Sequence, residues 1–213
     1  MGCLICNATD VKSCVSCRSA SYCSKECQKI DWPLHKHLCK IIPTMTTRPS
    51  PSSRLAILFP VDSKSPKLVW VNCPMIHLPD DEEEFEAPEV KPFLGPGYPP
   101  PTPERMICWN NQVRGVEQLD HTIIAHIRDN GRNDGSKLNQ AVIACAGNTP
   151  APWMGPVIVL SQVGEPTDPY SVFQDVTLED LRHIVDYFTW YGSARRGLSG
   201  LTPQELGFQT MTL

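Results

Sequence analysis

With 213 residues, a formal charge of −4, 41% apolar and 20% charged residues, the chain has room for one ordinary domain plus a small module and the composition of a soluble globular protein. Its longest apolar runs, such as Leu55–Phe59 and Ile123–Ala125, fall far short of the ~18 residues a membrane helix needs, so no membrane span is expected. The 21 prolines predict long irregular connections.

Seven of the ten cysteines lie before residue 40. A disulfide framework is the rival reading of such clustering, but an odd number of thiols, the missing export signal and paired Cys-x-x-Cys spacings favour metal in a reducing, intracellular compartment, nucleus or cytoplasm alike. Cys3, Cys6, Cys14, Cys17, Cys23, Cys27, His35 and Cys39 make eight ligands, the number needed by two structural Zn2+ ions with closed tetrahedral shells. Cys3 to Cys6 and Cys14 to Cys17 read as tight knuckles. Ser24 is placed to cap a helix carrying Cys27, and Pro33 suits the first turn of another that sets His35 and Cys39 four apart on one face. His37, two residues from Cys39, points away from that face. Spacing leaves open whether the pairs combine sequentially or interleave.

The C6-H-C order over residues 3–39 resembles the MYND zinc finger. That resemblance implies interleaved sites, with Cys3, Cys6, Cys23 and Cys27 on one ion and Cys14, Cys17, His35 and Cys39 on the other. So small a segment cannot bury enough apolar surface alone, whereas zinc supplies ~10–16 kcal/mol per structural ion, so the metal is expected to hold the fold.

Residues 1–40 carry six Lys or Arg against three Asp or Glu, but seven thiolates and two zinc ions bring the finger to zero formal charge. Nucleic acid is therefore not the expected partner. Gln28 and Trp32, at i and i+4, share a helical face and offer an amide beside a large apolar ring, which suits a Pro-containing peptide; the bland alternative is local packing. Relatives of the finger that bind Pro-rich peptides use a Gln and a Trp at these positions, with a small polar residue where this chain has Val15. Their P-x-L-x-P type of ligand also occurs in the chain itself as Pro92-Phe93-Leu94-Gly95-Pro96, a candidate for self-binding.

A Pro/Ser/Thr-rich linker at 41–53 separates the finger at 1–40 from a second domain at 54–192, and 193–213 reads as a C-terminal tail. Apolar, often β-branched segments at Leu55–Phe59, Leu68–Cys73, Met106–Trp109, Thr122–Ile127, Ala141–Ala146 and Val157–Leu160 predict strands. Asn130-Gly131 and Asp134-Gly135 suggest that the fourth and fifth of these pair through a long loop. The acidic run Asp80 to Glu84 and the Pro-rich stretch from Pro88 to Pro103 predict an exposed insertion at about 79–104. Thr177 and Asp180 form a variant capping box before Leu181, Ile184, Val185 and Phe188, which predicts a helix that Gly192 ends. The expected architecture is an α+β, mainly β, domain with one clear C-terminal helix. The downstream part is loosely similar to small fungal MYND-finger proteins.

No nucleophile or metal constellation accompanies His121, His126 and His183, and the motifs of a SET-type lysine methyltransferase are missing. The expectation is a non-enzymatic adaptor or regulatory protein; the alternative is an unrecognised activity within residues 54–192.

Overall fold

The computed structural model describes residues 2–77, 84–96, 101–147, 149, 151–165 and 172–197. In the finger, β1 (Lys12–Ser13) and β2 (Ser21–Tyr22) form a short antiparallel ladder followed by α1 (Lys25–His35). Downstream come β3 (Ser53–Phe59), β4 (Lys67–Asn72), β5 (Met75–His77), β6 (Glu84–Glu86), β7 (Pro103–Cys108), β8 (His121–Arg128), α2 (Gln140–Ala146), β9 (Val157–Val163), β10 (Phe173–Gln174) and α3 (Leu178–Gly197).

The main sheet is antiparallel in the order β4-β3-β9-β8-β7, with β10 also paired to β9. Strict alternation divides its side chains between two cores. Leu55, Ile57, Phe59, Ile123, Ala125, Val157 and Val159 face α3, where Leu181, Ile184, Val185 and Phe188 pack on them. Ala56, Ile124, Ile158 and Leu160 face the other way, against Val71, Val90, Leu94 and Phe173. The central strands read as continuous apolar runs because both faces are covered.

Five of the six expected strands are present, but Ala141–Ala146 belongs to a helix. Asn139 explains the difference: its Oδ1 accepts from the Val142 amide at 2.9 Å as an N-cap, while its Nδ2 donates to the carbonyls of Phe59 (2.8 Å) and Gly155 (2.9 Å). Gly147, at φ +75°, closes α2 after seven residues. The expected partnership of Thr122–Ile127 with Ala141–Ala146 is accordingly replaced by pairing of β8 with β7 and β9. Nor does α3 stop at Gly192; it continues to Gly197, because one glycine only weakens a helix by ~1 kcal/mol.

The capping box forms as expected. Asp180 Oδ2 accepts from the Thr177 amide at 2.6 Å, and Thr177 Oγ1 accepts from the Asp180 amide at 3.3 Å. The acidic segment Asp80 to Glu83 lies outside the described residues, as do residues 97–100 of the Pro-rich stretch. What is described between them is not simply exposed: Glu86, Val90 and Leu94 are buried. Glu86 pairs with Arg54 and accepts from the Phe173 amide at 2.7 Å. Within 41–53, Arg48 reaches Asp175 at 2.6 Å and lies 5.2 Å over the Trp70 ring, fastening this segment to the sheet.

His121 opens β8 between two carboxylates, Asp120 and Asp180, each at 2.5 Å. Burial opposes its protonation, but Asp180 and then Asp120 outweigh burial and raise its pKa to about 9. A pKa raised on folding stabilises the native state fully below the unfolded value of ~6.5 and loses that contribution as pH rises through the folded one. At saturating zinc, the urea-derived stability gap between wild type and His121→Gln is expected to be on the order of 2 kcal/mol at pH 6 and to shrink toward pH 10. A gap independent of pH would show that the imidazole is not charged.

Candidate zinc centres

Both knuckles use the same backbone device. Asn7 N–H donates to Cys3 O at 2.9 Å and Arg18 N–H donates to Cys14 O at 2.8 Å, with Asn7 (φ +61°) and Arg18 (φ +53°) in the left-handed region that turns the chain back. Each knuckle thereby presents two thiols to one point. Ser24 caps α1 by accepting from the Cys27 amide at 3.2 Å. Helix α1 runs through Pro33 instead of restarting there. The proline removes one bond, the one to the carbonyl of exposed Lys29, which water can satisfy. His35 ends this helix, and the Cys39 amide still donates to His35 O at 3.1 Å, preserving the expected one-turn spacing.

Two four-residue clusters result: Cys3, Cys6, Cys23 and Cys27, and Cys14, Cys17, His35 and Cys39. In each, the ligand atoms all lie within 4.8 Å of one another. A tetrahedron with Zn–S bonds of ~2.3 Å has edges of about 3.8 Å. Here the Sγ separations are 3.5 Å for Cys6 and Cys23, 3.6 Å for Cys23 and Cys27, and 3.9 Å for both Cys6 to Cys27 and Cys14 to Cys39. Cys17 Sγ lies 3.7 Å from His35 Nε2. Both donor sets therefore fit zinc, in the interleaved arrangement. Buried thiols without a cation resist joint ionisation: burial pushes Cys17 up to about 12. Burial also opposes ionisation of Cys3, but the amides of Cys23, Ile5 and Cys6 outweigh it and bring its thiol down to about 6. A divalent ion would hold all the thiolates together. His37 takes no part; its Nδ1 lies 3.1 Å from Ser65 Oγ.

The second cluster has an outer layer that the spacing did not reveal. Tyr22 donates its one hydroxyl proton to Asp31 Oδ2 at 2.6 Å, so its oxygen must accept from His35 Nδ1, 2.8 Å away. That fixes the tautomer and leaves the Nε2 lone pair facing the thiols. Asp31, 2% exposed, also receives Arg182 of α3 at 2.5 Å. Arg182 reaches Asp186 at 3.2 Å, and Asp186 in turn holds Arg114 (2.8 Å) and Asn111 (3.1 Å). A second fastening is backbone-directed: Ser19 Oγ accepts from the Leu178 amide at 2.8 Å, at the first residue of α3. Leu4, Tyr22, Leu34 and Leu38 of the finger share one apolar cluster with Leu55, Ile57 and α3. The i, i+4 spacing of Asp31 and His35 on one helix was the available signal for the relay; nothing local pointed to Arg182 or Ser19.

Geometry thus defines a two-zinc finger docked on a mainly β domain. More particularly, residues 3–39 match the MYND finger family. The chain is similar to SET domain-containing protein 14 of Caenorhabditis elegans, 46% identical over 48 residues covering 22% of this chain and 11% of that protein. It is 36% identical over 59 residues to the hypoxia-inducible factor prolyl hydroxylase of the same organism, covering 26% and 8% of the two chains. It is also 46% identical over 37 residues to the zinc finger MYND domain-containing protein 10 homolog of Drosophila melanogaster, covering 17% and 8%. The matched stretch spans about a tenth of these relatives. No solved structure matches. Among the described residues, no helix is long and apolar enough to cross a membrane.

Proposed function

We propose that this protein is a non-catalytic adaptor or regulatory protein whose finger, residues 1–40, receives a short Pro-containing segment of another protein, while residues 54–192 form the platform that holds the finger. The observation that carries this reading is the state of Trp32. It is 46% exposed although its ring packs 5.8 Å from the His35 ring, so a large apolar surface stands in solvent on a metal-backed helix. Gln28, one turn earlier, makes no side-chain hydrogen bond among the described residues and has its amide available for a peptide carbonyl or amide. Val15, 93% exposed in the second knuckle, adds apolar surface at the same zinc cluster.

The ligand belongs to another chain in this reading. Leu94 of the Pro92-to-Pro96 motif is fully buried, and the carbonyls of Leu94 and Pro96 each accept from Arg128 at 2.9 Å. Occupying the finger with this segment would require dismantling that anchorage. The finger's zero formal charge with two zinc ions supports a peptide over a polyanion.

On an array of Pro-containing peptides, Trp32→Ala is expected to weaken capture by about 30-fold, the loss typical of an aromatic anchor, with zinc content unchanged. Undiminished capture would remove the ledge from the mechanism, and loss of zinc in this variant would make Trp32 a structural residue.

A further inference from the structure

A cavity of about 480 Å3 lies along the seam between the finger and the downstream domain, a site distinct from the Gln28–Trp32 ledge. One wall is the first knuckle, from Gly2 to Thr9; the other is formed by residues 115–121 and the first turns of α3. Asn7 closes the seam by donating to the Arg114 carbonyl at 2.7 Å.

The charge of its lining is uneven. His121 is committed to Asp120 and Asp180, and His183 Nδ1 lies 2.9 Å from the Asn111 amide nitrogen, where it accepts a hydrogen bond as a neutral ring. Glu179 also lines the cavity. Its residue is only 9% exposed, yet its carboxylate has no hydrogen bond or ion pair among the described residues. Its oxygens open on the cavity, so a carboxylate shielded by the rest of the protein meets no partner there, and a cation supplied from outside offsets the cost of that shielding. Burial, followed by Asp180 and Asp120, pushes Glu179 up to about 7, and the His121 imidazolium acts in the opposite direction, as any cation brought here would.

We propose that this cavity binds a primary ammonium group, through Glu179 at its wall with Asp120 at its rim. Among the described residues neither Lys nor Arg lines it; the one cationic side chain there, His121, is already held by Asp120 and Asp180, and no Trp, Tyr or Phe lines it either. Without an aromatic cage, recognition rests on N–H donation to carboxylate, which a quaternary ammonium cannot provide. The group belongs to a free alkylamine or to the Lys side chain of a bound protein, and the volume suits either.

The test uses the full zinc-loaded chain, 15N-labelled, at pH 8 and fixed ionic strength. It is titrated in turn with n-butylammonium, with Nα-acetyl-lysine N-methylamide and with tetramethylammonium. Saturable shifts of the Asn7, Gly115 and Leu119 amides are expected with butylammonium, and none with tetramethylammonium. Saturation by the blocked lysine as well assigns the site to a protein side chain; its failure assigns the site to free amines. Glu179→Gln is expected to weaken butylammonium binding at least tenfold. Equal binding by the variant, equal response to tetramethylammonium, or no saturation overturns the proposal. Should the variant fold poorly, the side-chain carboxyl resonance of wild-type Glu179 decides: saturating butylammonium lowers its titration midpoint by at least one pH unit, and an unmoved midpoint overturns the proposal.

Discussion

Replacing Cys14 by alanine is expected to take the second zinc from the protein and, with it, the order of the whole finger. Its thiol is buried and belongs to the cluster with Cys17, His35 and Cys39. A tetrahedral structural site deprived of one ligand opens to water and loses much of the ~10–16 kcal/mol that zinc contributes. The damage is not confined to one ion. The clusters interleave, so the segment from Cys14 to Cys17 lies between Cys6 and Cys23 of the other cluster. The α3 N-terminus loses the Ser19 acceptor at the same time. Elemental analysis should therefore fall from two zinc ions per chain, and the Leu178 amide should exchange faster with solvent. A variant that keeps both ions, or unchanged protection of Leu178, would refute this coupling.

Asp31→Ala is expected to produce the next largest loss without touching a ligand. Asp31 receives Tyr22 and Arg182 together, and the Arg182 side chain is only 11% exposed. Removing Asp31 leaves Arg182 with Asp186 as its remaining carboxylate, so the cost falls below the ~3–5 kcal/mol of a buried charge stripped of its only partner. Tyr22 then loses the acceptor that directs its proton away from His35, and the imidazole tautomer is no longer held. Losses of this kind typically lower metal affinity ~10–100-fold, here at the second cluster and not at the first. Arg182→Met in the Asp31→Ala background should recover part of the stability, since the under-compensated charge is gone while Asp186 keeps Arg114, and a double-mutant cycle measures the coupling. Strict additivity of the two changes would mean that no coupling exists between finger and helix.

The parts of this molecule that could be read from its sequence are those whose physics is local. Zinc fixes ligand type and spacing within a few residues, so both clusters were visible, although spacing alone did not choose the interleaved pairing. The α3 start was visible because Thr177 and Asp180 are three residues apart and exchange hydrogen bonds with each other's backbone. In contrast, α2 is seven residues long and apolar, too short for a helical period to show, and the signal that mattered was its cap, Asn139. Pro33 misled in the other direction: its helix-starting preference did not prevail over a helix already begun at Ser24. Strand order was not legible because β9 reaches back to β3 across about 100 residues. The same holds for Ser19 with Leu178 and Asp31 with Arg182, whose separations of 159 and 151 residues carry no local pattern.

The Ser19 contact also sets an order of events during synthesis. Ser19 leaves the ribosome 159 residues ahead of Leu178, an interval of about 8–30 s at ~5–20 residues per second. Throughout that interval the finger has its own ligands, but neither Arg182 to brace Asp31 nor a helix to cover its docking face. The ligands for zinc capture are therefore complete on the nascent chain, in a finger braced only by Tyr22 and Asp31, before the last helix arrives to brace Asp31 from outside. In a zinc-poor cell, the defect would extend to the opposite end of the chain, as a C-terminal helix whose first amide lacks its Ser19 acceptor.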